Sequence, residues 1–277
     1  MKFRLRILLF TAVAAVCSFT ANAQTDSLVA PKEQPRFKEF RIPAVKGKDS
    51  VMVKQEGKRE TLNNSLPIAS ALAKDSLVLQ SKATSGVLRR VALPTALIAG
   101  GILLSSSALE KNIGGGIRDI TGDGFHTKID DYTRYVPIVQ MYAADIIGIK
   151  AKNHWFDQTK NLAISYILTD FITNTLKDNI QKTRPSKAMG SGSFPSAHTT
   201  QAFTTATVLY EEFKETSPLL AYSGYVFATA TASMRLMNNA HWLSDVAVGA
   251  GIGILVTRAV YMLDPIIKWN PFIKKDK

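Results

Sequence analysis

The chain has 277 residues, and its 34 basic and 22 acidic side chains give a formal net charge of +12. A charge of this size indicates anionic partners, but the sequence has no aromatic-interleaved basic repeat and no recognition module, so nucleic acid is not expected among them. Because Cys17 is the only cysteine, no internal disulfide can form. Without a thiol or histidine cluster at ligand spacing, no metal or other cofactor is expected.

The N-terminus has the order of a secretory signal peptide. A basic start, Met1 to Arg6, precedes an apolar run from Ile7 to Ala21 and the small residue Ala23, and about 15 apolar residues are few for a membrane span. We therefore predict a signal peptide over 1–23 and an exported protein, periplasmic or in the periplasm-facing envelope membrane. Residues 24–86 are polar and lysine-rich without a sustained period, which predicts a flexible leader.

The remaining residues, 87–277, are predicted to form an all-α domain, a bundle of about six helices with the active site at one end. The segments that predict these helices are 91–109, 132–149, 160–176, 199–213, 219–236 and 243–263. Ser217 and Pro218 predict a capped start for the fifth helix, and Pro265 predicts the end of the sixth. The glycine-rich stretch 114–124 predicts a connection, because its spacing fits neither a phosphate loop nor a calcium loop.

Two motifs supply groups that bind phosphate. Transfer of a phosphoryl group from a monoester needs cations or N–H donors around the non-bridging oxygens, an in-line nucleophile and a proton for the leaving group. Lys177 near a helix end offers a point charge, and Arg184, followed by Pro185, offers a planar fork. Ser196 and His198 lie where the fourth helix starts, and the free N–H groups of a helix N-terminus bind anions.

The third motif, Arg235 with His241 and Asp245, is the most specific. Arg235 ends the fifth predicted helix, and the spacing of four residues puts His241 and Asp245 on one face at the start of the sixth. A carboxylate bonded to one imidazole nitrogen fixes the tautomer and leaves the other nitrogen free to attack phosphorus. The pattern therefore predicts a nucleophilic histidine.

Together the three motifs resemble the type 2 phosphatidic acid phosphatase superfamily, which includes bacterial non-specific acid phosphatases and vanadium haloperoxidases. The match runs from Lys177 to Asp245, and the six predicted helices look like the core of that family. The resemblance implies that phosphate oxygens are bound by Lys177, Arg184, Ser196 and Arg235, with help from the backbone N–H of Ala197.

The resemblance also implies the catalytic roles. His241 would form a phosphohistidine, His198 would protonate the leaving alcohol, and Asp245 would orient His241. Two positions depart from the family pattern, which has glycine in place of Ala197 and serine in place of Met234. Alanine keeps the N–H donor, whereas the loss of the serine hydroxyl removes an oxygen ligand or a supporting contact.

The membrane relation is open at this point. Some predicted helices are apolar enough for a bilayer, whereas others carry Arg134, Asp145 or Asp170. With a cleaved signal, six full spans would put the catalytic loops on the cytoplasmic side. Either one helix does not span or the bundle rests on a membrane, and we expect a membrane-associated protein.

The function expected from these patterns is hydrolysis of phosphate monoesters or pyrophosphates of membrane lipids, of the lipid A, undecaprenyl diphosphate or phosphatidate class. The alternative is a soluble periplasmic non-specific acid phosphatase. A vanadate-dependent haloperoxidase and a non-enzymatic anion-binding envelope protein are further readings. The partner is a phosphorylated lipid or a small phosphate ester, and the sequence gives no oligomeric state.

Overall fold

The computed structural model describes residues 86–122, 124–186, 189–267 and 270. The predicted signal peptide over 1–23 and the predicted leader up to residue 85 lie outside the described residues. In the described part of the chain all regular secondary structure is helical, which confirms the all-α prediction.

Eight helices form in the described residues. They are α1 Gly86–Leu104, α2 Ala108–Thr121, α3 Asp130–Thr133, α4 Val136–Ile146, α5 Trp155–Ile180, α6 Ala197–Phe213, α7 Pro218–Met237 and α8 Leu243–Leu263. The last three lie within two residues of their predicted bounds. At α7 Pro218 occupies the first turn as predicted, but Ser217 makes no side-chain capping hydrogen bond within the described residues.

The region before α4 differs from the prediction. The apolar run predicted as one helix over 91–109 breaks after Leu104, and Ser107 caps a new helix, α2, by accepting a hydrogen bond from the backbone N–H of Glu110. Three glycines predicted to lie in a connection, Gly114 to Gly116, are inside α2. Gly114 lies against Trp242, and a Cβ there would come within 3.1 Å of the ring, closer than an ordinary van der Waals contact.

The polar helix α6 forms the centre of the bundle and packs against α5, α7 and α8. Its threonines and both glutamates are buried, and Thr200 and Thr204 donate to backbone carbonyls one turn earlier. Helix α8 approaches α6 closely, since a Cβ on Gly253 would come within 2.6 Å of the Thr200 carbonyl oxygen. Glycines on α8 therefore permit the backbone contact that joins the two helices carrying the second and third motifs.

The outer faces of the bundle are apolar. Large exposed hydrophobic side chains include Leu93, Leu103, Val139, Ile146, Ile167, Phe171, Leu219 and Val226, from α1, α4, α5 and α7. By length and composition α1 and α8 could cross a membrane; the apolar stretch of α1 is mostly exposed, whereas that of α8 is mostly buried. An apolar exterior around a polar centre is the arrangement of a membrane-associated bundle.

Helix direction puts all three motifs at one end. Helices α5 and α7 run toward this end, and α6 and α8 start from it, because Ser196 before α6 donates its backbone N–H to the Asp245 carbonyl at 3.0 Å. Helix α1 also runs toward it, since Gly101 lies against Ser244 while Arg258 donates to the Arg90 carbonyl. Gly86 and Leu263 therefore lie at the opposite end of the bundle.

Candidate active site

Two loops at this end are joined by hydrogen bonds to backbone carbonyls. The loop between α5 and α6 carries Arg184, and the loop between α7 and α8 carries His241. Ser186 donates its N–H to the Asn239 carbonyl at 3.0 Å, and the Trp242 indole donates to the Thr183 carbonyl at 2.8 Å. These bonds hold the first motif against the third.

His241 is buried, with 4 % of its surface exposed. Its Nδ1 lies 2.8 Å from the carbonyl oxygen of Ser193. A carbonyl can only accept, so Nδ1 carries the hydrogen and Nε2 keeps its lone pair. Burial lowers the pKa of His241 to about 4, and the Asp245 carboxylate opposes this shift only in part. The imidazole is therefore neutral at physiological pH, as a nucleophile must be.

Asp245 is predicted to bond His241 directly, but the geometry places it one step away. Its Oδ2 lies 3.7 Å from His241 Nδ1, too far for a hydrogen bond. The same oxygen accepts from the Ser193 hydroxyl at 2.5 Å and from the Trp242 backbone N–H at 2.8 Å. His241 also precedes α8, which starts at Leu243. Asp245 thus fixes Ser193 and the turn at Trp242, and the Ser193 carbonyl orients the imidazole.

Lys182, which the sequence analysis did not select, lies behind Asp245. Its Nζ donates to Asp245 Oδ1 at 3.0 Å, to both carboxylate oxygens of Glu110 at 3.0 Å, and to the Ser244 hydroxyl at 2.7 Å. The side chain of Glu110 is 1 % exposed. We call Lys182, Glu110, Ser244 and Asp245 the buried ion network; all its charges face one another.

Lys177 and Arg184 have a different environment. Lys177 donates to the Gly192 carbonyl at 2.8 Å and Arg184 to the Ala240 carbonyl at 3.3 Å. Among the described residues neither has a carboxylate within salt-bridge distance. Burial, followed by the nearby charges of Arg184 and Arg235, lowers the pKa of Lys177 to about 8, and burial and Arg235 lower the pKa of Arg184. These cations repel one another until an anion joins them.

Arg235, in the last turn of α7, completes the cationic group. Its Nη1 donates to Asp130 Oδ2 at 2.6 Å, so one side of its guanidinium is paired. The Nε atoms of Arg184 and Arg235 are buried and have no hydrogen-bond partner within the described residues. Unpaired buried donors are costly in a folded protein. We call Lys177, Arg184 and Arg235 the cation cluster.

Ser196 and Ala197 form the start of α6. Ser196 is fully buried, and its Oγ accepts from the Thr199 hydroxyl at 3.0 Å, which leaves its own hydrogen to donate. Ser196 makes no side-chain capping bond in the described part of the chain, so the first N–H groups of α6, including that of Ala197, are not capped by it. Met234, the other departure from the family pattern, is half-buried on α7.

His198 is the second residue of α6 and is half-buried. Its Nε2 lies 2.7 Å from Oδ1 of Asp131, on the short helix α3. Burial, and then the charge of Arg235, lowers the pKa of His198, while the hydrogen bond to Asp131 raises it. The neighbouring Asp130 binds Arg235, so α3 directs two adjacent carboxylates to two different members of the site.

These carboxylates also raise the question of a metal. Ligand atoms of Asp130, Asp131 and His198 all lie within 4.8 Å of one another. However, Asp130 already binds the Arg235 guanidinium and Asp131 already binds His198. A divalent cation would have to displace both contacts beside a fixed positive charge, so the donor set is that of an ion-pair network. The expectation that no metal is needed stays a prediction.

The structure brings all eight sequence-selected site residues to the same end of the bundle. The residues that sequence reasoning missed are Ser193, Lys182, Glu110, Asp130 and Asp131. Lys182 and Ser193 lie within or beside selected motifs and could have been suspected for that reason. Glu110, Asp130 and Asp131 come from helices that no motif marks, and only the folded arrangement identifies them.

Comparisons with known proteins agree with this arrangement. Residues 158–268 match the family model described as PAP2 superfamily. The lipid A 1-phosphatase of Porphyromonas gingivalis is 34% identical over 173 residues, which are 61% of this chain and 39% of that protein. The chain thus spans about two fifths of that relative's length.

Two solved structures are distant likenesses. The crystal structure of Aquifex aeolicus LpxE has a TM-score of 0.43 and 20% identity, covering 57% of this chain and 98% of that one. That of a transmembrane PAP2 type phosphatidylglycerolphosphate phosphatase from Bacillus subtilis has a TM-score of 0.40 and 19% identity, covering 66% and 88%. Residues 158–268, which match the PAP2 superfamily model, contain all three motifs, in agreement with the resemblance stated from the sequence.

Proposed function

We propose that this protein is a phosphatase that hydrolyses phosphate monoesters or pyrophosphates of membrane lipids, of the lipid A, undecaprenyl diphosphate or phosphatidate class, through a phosphohistidine at His241. The observation that carries the proposal is the set of unpaired buried donors, Arg184 Nε and Arg235 Nε, close to a neutral histidine. A phosphate group would supply acceptors for these donors and the negative charge that the cation cluster lacks.

The mechanism follows from the proton positions. Nε2 of His241 attacks phosphorus while the ester P–O bond breaks, and His198 gives a proton to the departing alcohol oxygen. Throughout the reaction the Ser193 carbonyl accepts a hydrogen bond from the Nδ1–H group of His241, and it thereby stabilises the positive charge that forms on the ring. Water then attacks phosphorus as the N–P bond breaks and its electron pair returns to Nε2 of His241. His198 takes a proton from that water, and inorganic phosphate leaves with both histidines restored.

The lipid nature of the substrate is supported by the surface of the bundle. Exposed leucine, isoleucine and phenylalanine side chains cover α1, α4, α5 and α7, and a soluble protein rarely exposes so many. The P. gingivalis relative is named for lipid A 1-phosphate, which belongs to the proposed class. A soluble acid phosphatase with the same site would have a polar exterior.

A panel of substrates tests the function. Purified full-length protein in detergent micelles would be given lipid A, undecaprenyl diphosphate, phosphatidate and a soluble aryl phosphate. We expect phosphate release from at least one of the lipids. In His241→Ala the rate of this release should fall by more than about 1,000-fold. His126→Ala changes an exposed loop histidine and should keep full activity. Turnover of the aryl phosphate alone would favour the soluble alternative, and undiminished turnover in His241→Ala would remove the mechanism.

We further propose that the catalytic end faces the periplasm. Because Gly86 lies at the end opposite the site, a bundle inserted with its site outside starts from the cytoplasmic side. A signal peptide cleaved after residue 23 would put residue 24 on the periplasmic side, so the orientation of the bundle has to be measured.

Labelling of single cysteines tests this orientation. In a Cys17→Ser background, Asp119→Cys places a thiol near the site and Glu215→Cys places one in the exposed loop after α6. A membrane-impermeant maleimide applied to cells with a permeabilised outer membrane should label only Asp119→Cys. Labelling of Glu215→Cys alone would reverse the orientation, and labelling of both would indicate a bundle that does not cross the inner membrane.

A further inference from the structure

Helix α3 is fixed firmly against the site although it precedes the family-matched residues 158–268. Just before α3, Thr127 exchanges two hydrogen bonds of 2.9 Å with the Asn238 side chain, next to the third motif. Within α3, Thr133 lies 2.7 Å from the Thr231 hydroxyl on α7. The carboxylates of α3 are therefore held in position by contacts that do not involve the carboxylates themselves.

The contact between Asp131 and His198 determines the tautomer of His198. A carboxylate can only accept, so Nε2 of His198 carries a hydrogen at 2.7 Å from Asp131 Oδ1. In the protonated ring the second hydrogen is on Nδ1, and this is the proton that the ring can give away. The same assignment makes Nδ1 the atom that accepts a proton from water in the second step.

The other charges near His198 mostly oppose protonation. Arg235 on α7 and Arg134 after α3 are cations close to the ring, and the ring is also half-buried. Asp130, the second carboxylate near the ring, is already paired with Arg235 at 2.6 Å. Asp131, at the outer edge of the site, is therefore the carboxylate whose charge acts directly on His198, the proton donor of the site.

We propose that Asp131 is a positioning residue for the reaction, whose carboxylate favours the protonated form of His198 and orients its ring so that it can protonate the leaving alcohol. The inference rests on the proposed phosphatase function. It assigns a role to a helix outside the family-matched residues, and it concerns one step, the departure of the alcohol.

Leaving groups of different basicity separate this role from a structural one. An alkyl or lipid phosphate leaves as a strongly basic alkoxide and needs a proton, whereas an aryl phosphate with an acidic phenol leaves without one. We expect Asp131→Asn to lower kcat/KM by about 10-fold or more for an alkyl phosphate and by less than about 3-fold for an activated aryl phosphate. Retained aryl activity also shows that the variant folds.

The pH profile gives a second readout. His198 must be protonated in the free enzyme, so kcat/KM falls as pH rises through its pKa. Without this carboxylate, only the charge of Asp130 opposes burial and the two arginines, so the alkaline limb should move to lower pH in Asp131→Asn. Asp131→Glu should partly restore the position of the alkaline limb and the kcat/KM for the alkyl phosphate. Asp119→Asn, which removes an exposed carboxylate on α2, should match the wild type.

The outcomes distinguish this inference from the function on which it rests. Equal losses for both substrates with an unmoved alkaline limb would show a merely structural role and overturn the proposal, as would an Asp131→Asn enzyme identical to the wild type. A wild-type protein that hydrolyses neither substrate would instead overturn the proposed function. Loss of both activities in His241→Ala, with selective loss in Asp131→Asn, is the result expected if both are correct.

Discussion

The site contains two groups of buried cations that differ in one respect. In the buried ion network, Lys182 has two carboxylates at 3.0 Å, from Glu110 and Asp245. In the cation cluster, Lys177 and Arg184 have none among the described residues, and the Nε atoms of both arginines lack partners there. The first group is complete in the folded chain, whereas the second is completed only by an anion.

This difference separates structural from substrate-binding charges. A fully paired buried cation contributes to the fold, and removing it leaves uncompensated charges. An unpaired cation slightly destabilises the folded protein through repulsion and desolvation, and removing it weakens ligand binding rather than stability. His241 is close to both groups: Asp245 Oδ2 lies 3.7 Å from its Nδ1, and the charges of Arg235 and Lys177 contribute to lowering its pKa.

The largest effect is expected from Lys182→Met. It leaves Glu110 and Asp245 buried without a counter-charge, which should destabilise the protein by about 3–5 kcal/mol and lower Tm by on the order of 10 °C in micelles. Thermal unfolding measures this. The double variant with Glu110→Gln should recover part of the loss, because one of the stranded charges is removed. A Tm unchanged in the single variant would contradict the structural role of the network.

Arg184→Ala should behave in the opposite way. We expect kcat/KM to fall by about 100- to 1,000-fold because two donors to the phosphate are lost, with Tm unchanged or slightly higher because repulsion with Lys177 and Arg235 is relieved. Lys111→Ala, the same change of charge at an exposed site on α2, is the control. A fall in Tm comparable with that of Lys182→Met would erase the distinction between the two groups.

His241 interacts with both groups, and its titration should limit stability in acid. Its pKa is lowered from the ordinary 6.5 to about 4, so the unfolded chain binds a proton between these values and the folded chain does not. The free energy of unfolding should therefore decrease as pH falls from about 6.5 to about 4, by at most about 3 kcal/mol. His241→Gln should flatten this part of the curve, and an unchanged slope would show that other groups cause it.

The smallest effect is stabilisation by an anion. Orthovanadate at ten times its dissociation constant should raise the free energy of unfolding of the wild type by about 1.4 kcal/mol. The gain should disappear in Lys177→Met, which removes a charge of the cation cluster, and should persist in Lys111→Ala. Equal stabilisation of the wild type and Lys177→Met, measured from Tm, would place the anion elsewhere.

The sequence predicts the parts of this site that lie at helix ends. Residues 243–263 are predicted as a helix with the observed bounds, because a polar turn precedes them and Asp264-Pro265 follows. Three residues, Arg235, His241 and Ser196, can be identified from the sequence as site candidates, because cationic, imidazole and hydroxyl groups at helix ends are typical of phosphate-binding sites. A local pattern carries this information without any knowledge of tertiary contacts.

The partners of these residues depend on long-range contacts. Glu110 reaches Ser244 across 134 positions and Asp130 reaches Arg235 across 105, and no local spacing encodes such pairs. The direct bond predicted between His241 and Asp245 fails for a similar reason: helix α8 starts two residues after His241, and the Ser193 carbonyl takes the place expected for the carboxylate. The break between α1 and α2 falls at the three serines Ser105 to Ser107, which interrupt a run that is otherwise apolar.

The most direct measurement is the identification of the covalent intermediate. The protein would be mixed with substrate, quenched in base within a few turnovers, digested and examined by mass spectrometry for a phosphoryl group on histidine. The proposed mechanism predicts this group on the peptide that carries His241, in a yield raised by an activated aryl phosphate, which forms the intermediate faster, and absent from His241→Ala. Sustained turnover with no phosphoryl group on His241, or labelling that survives in His241→Ala, would contradict it.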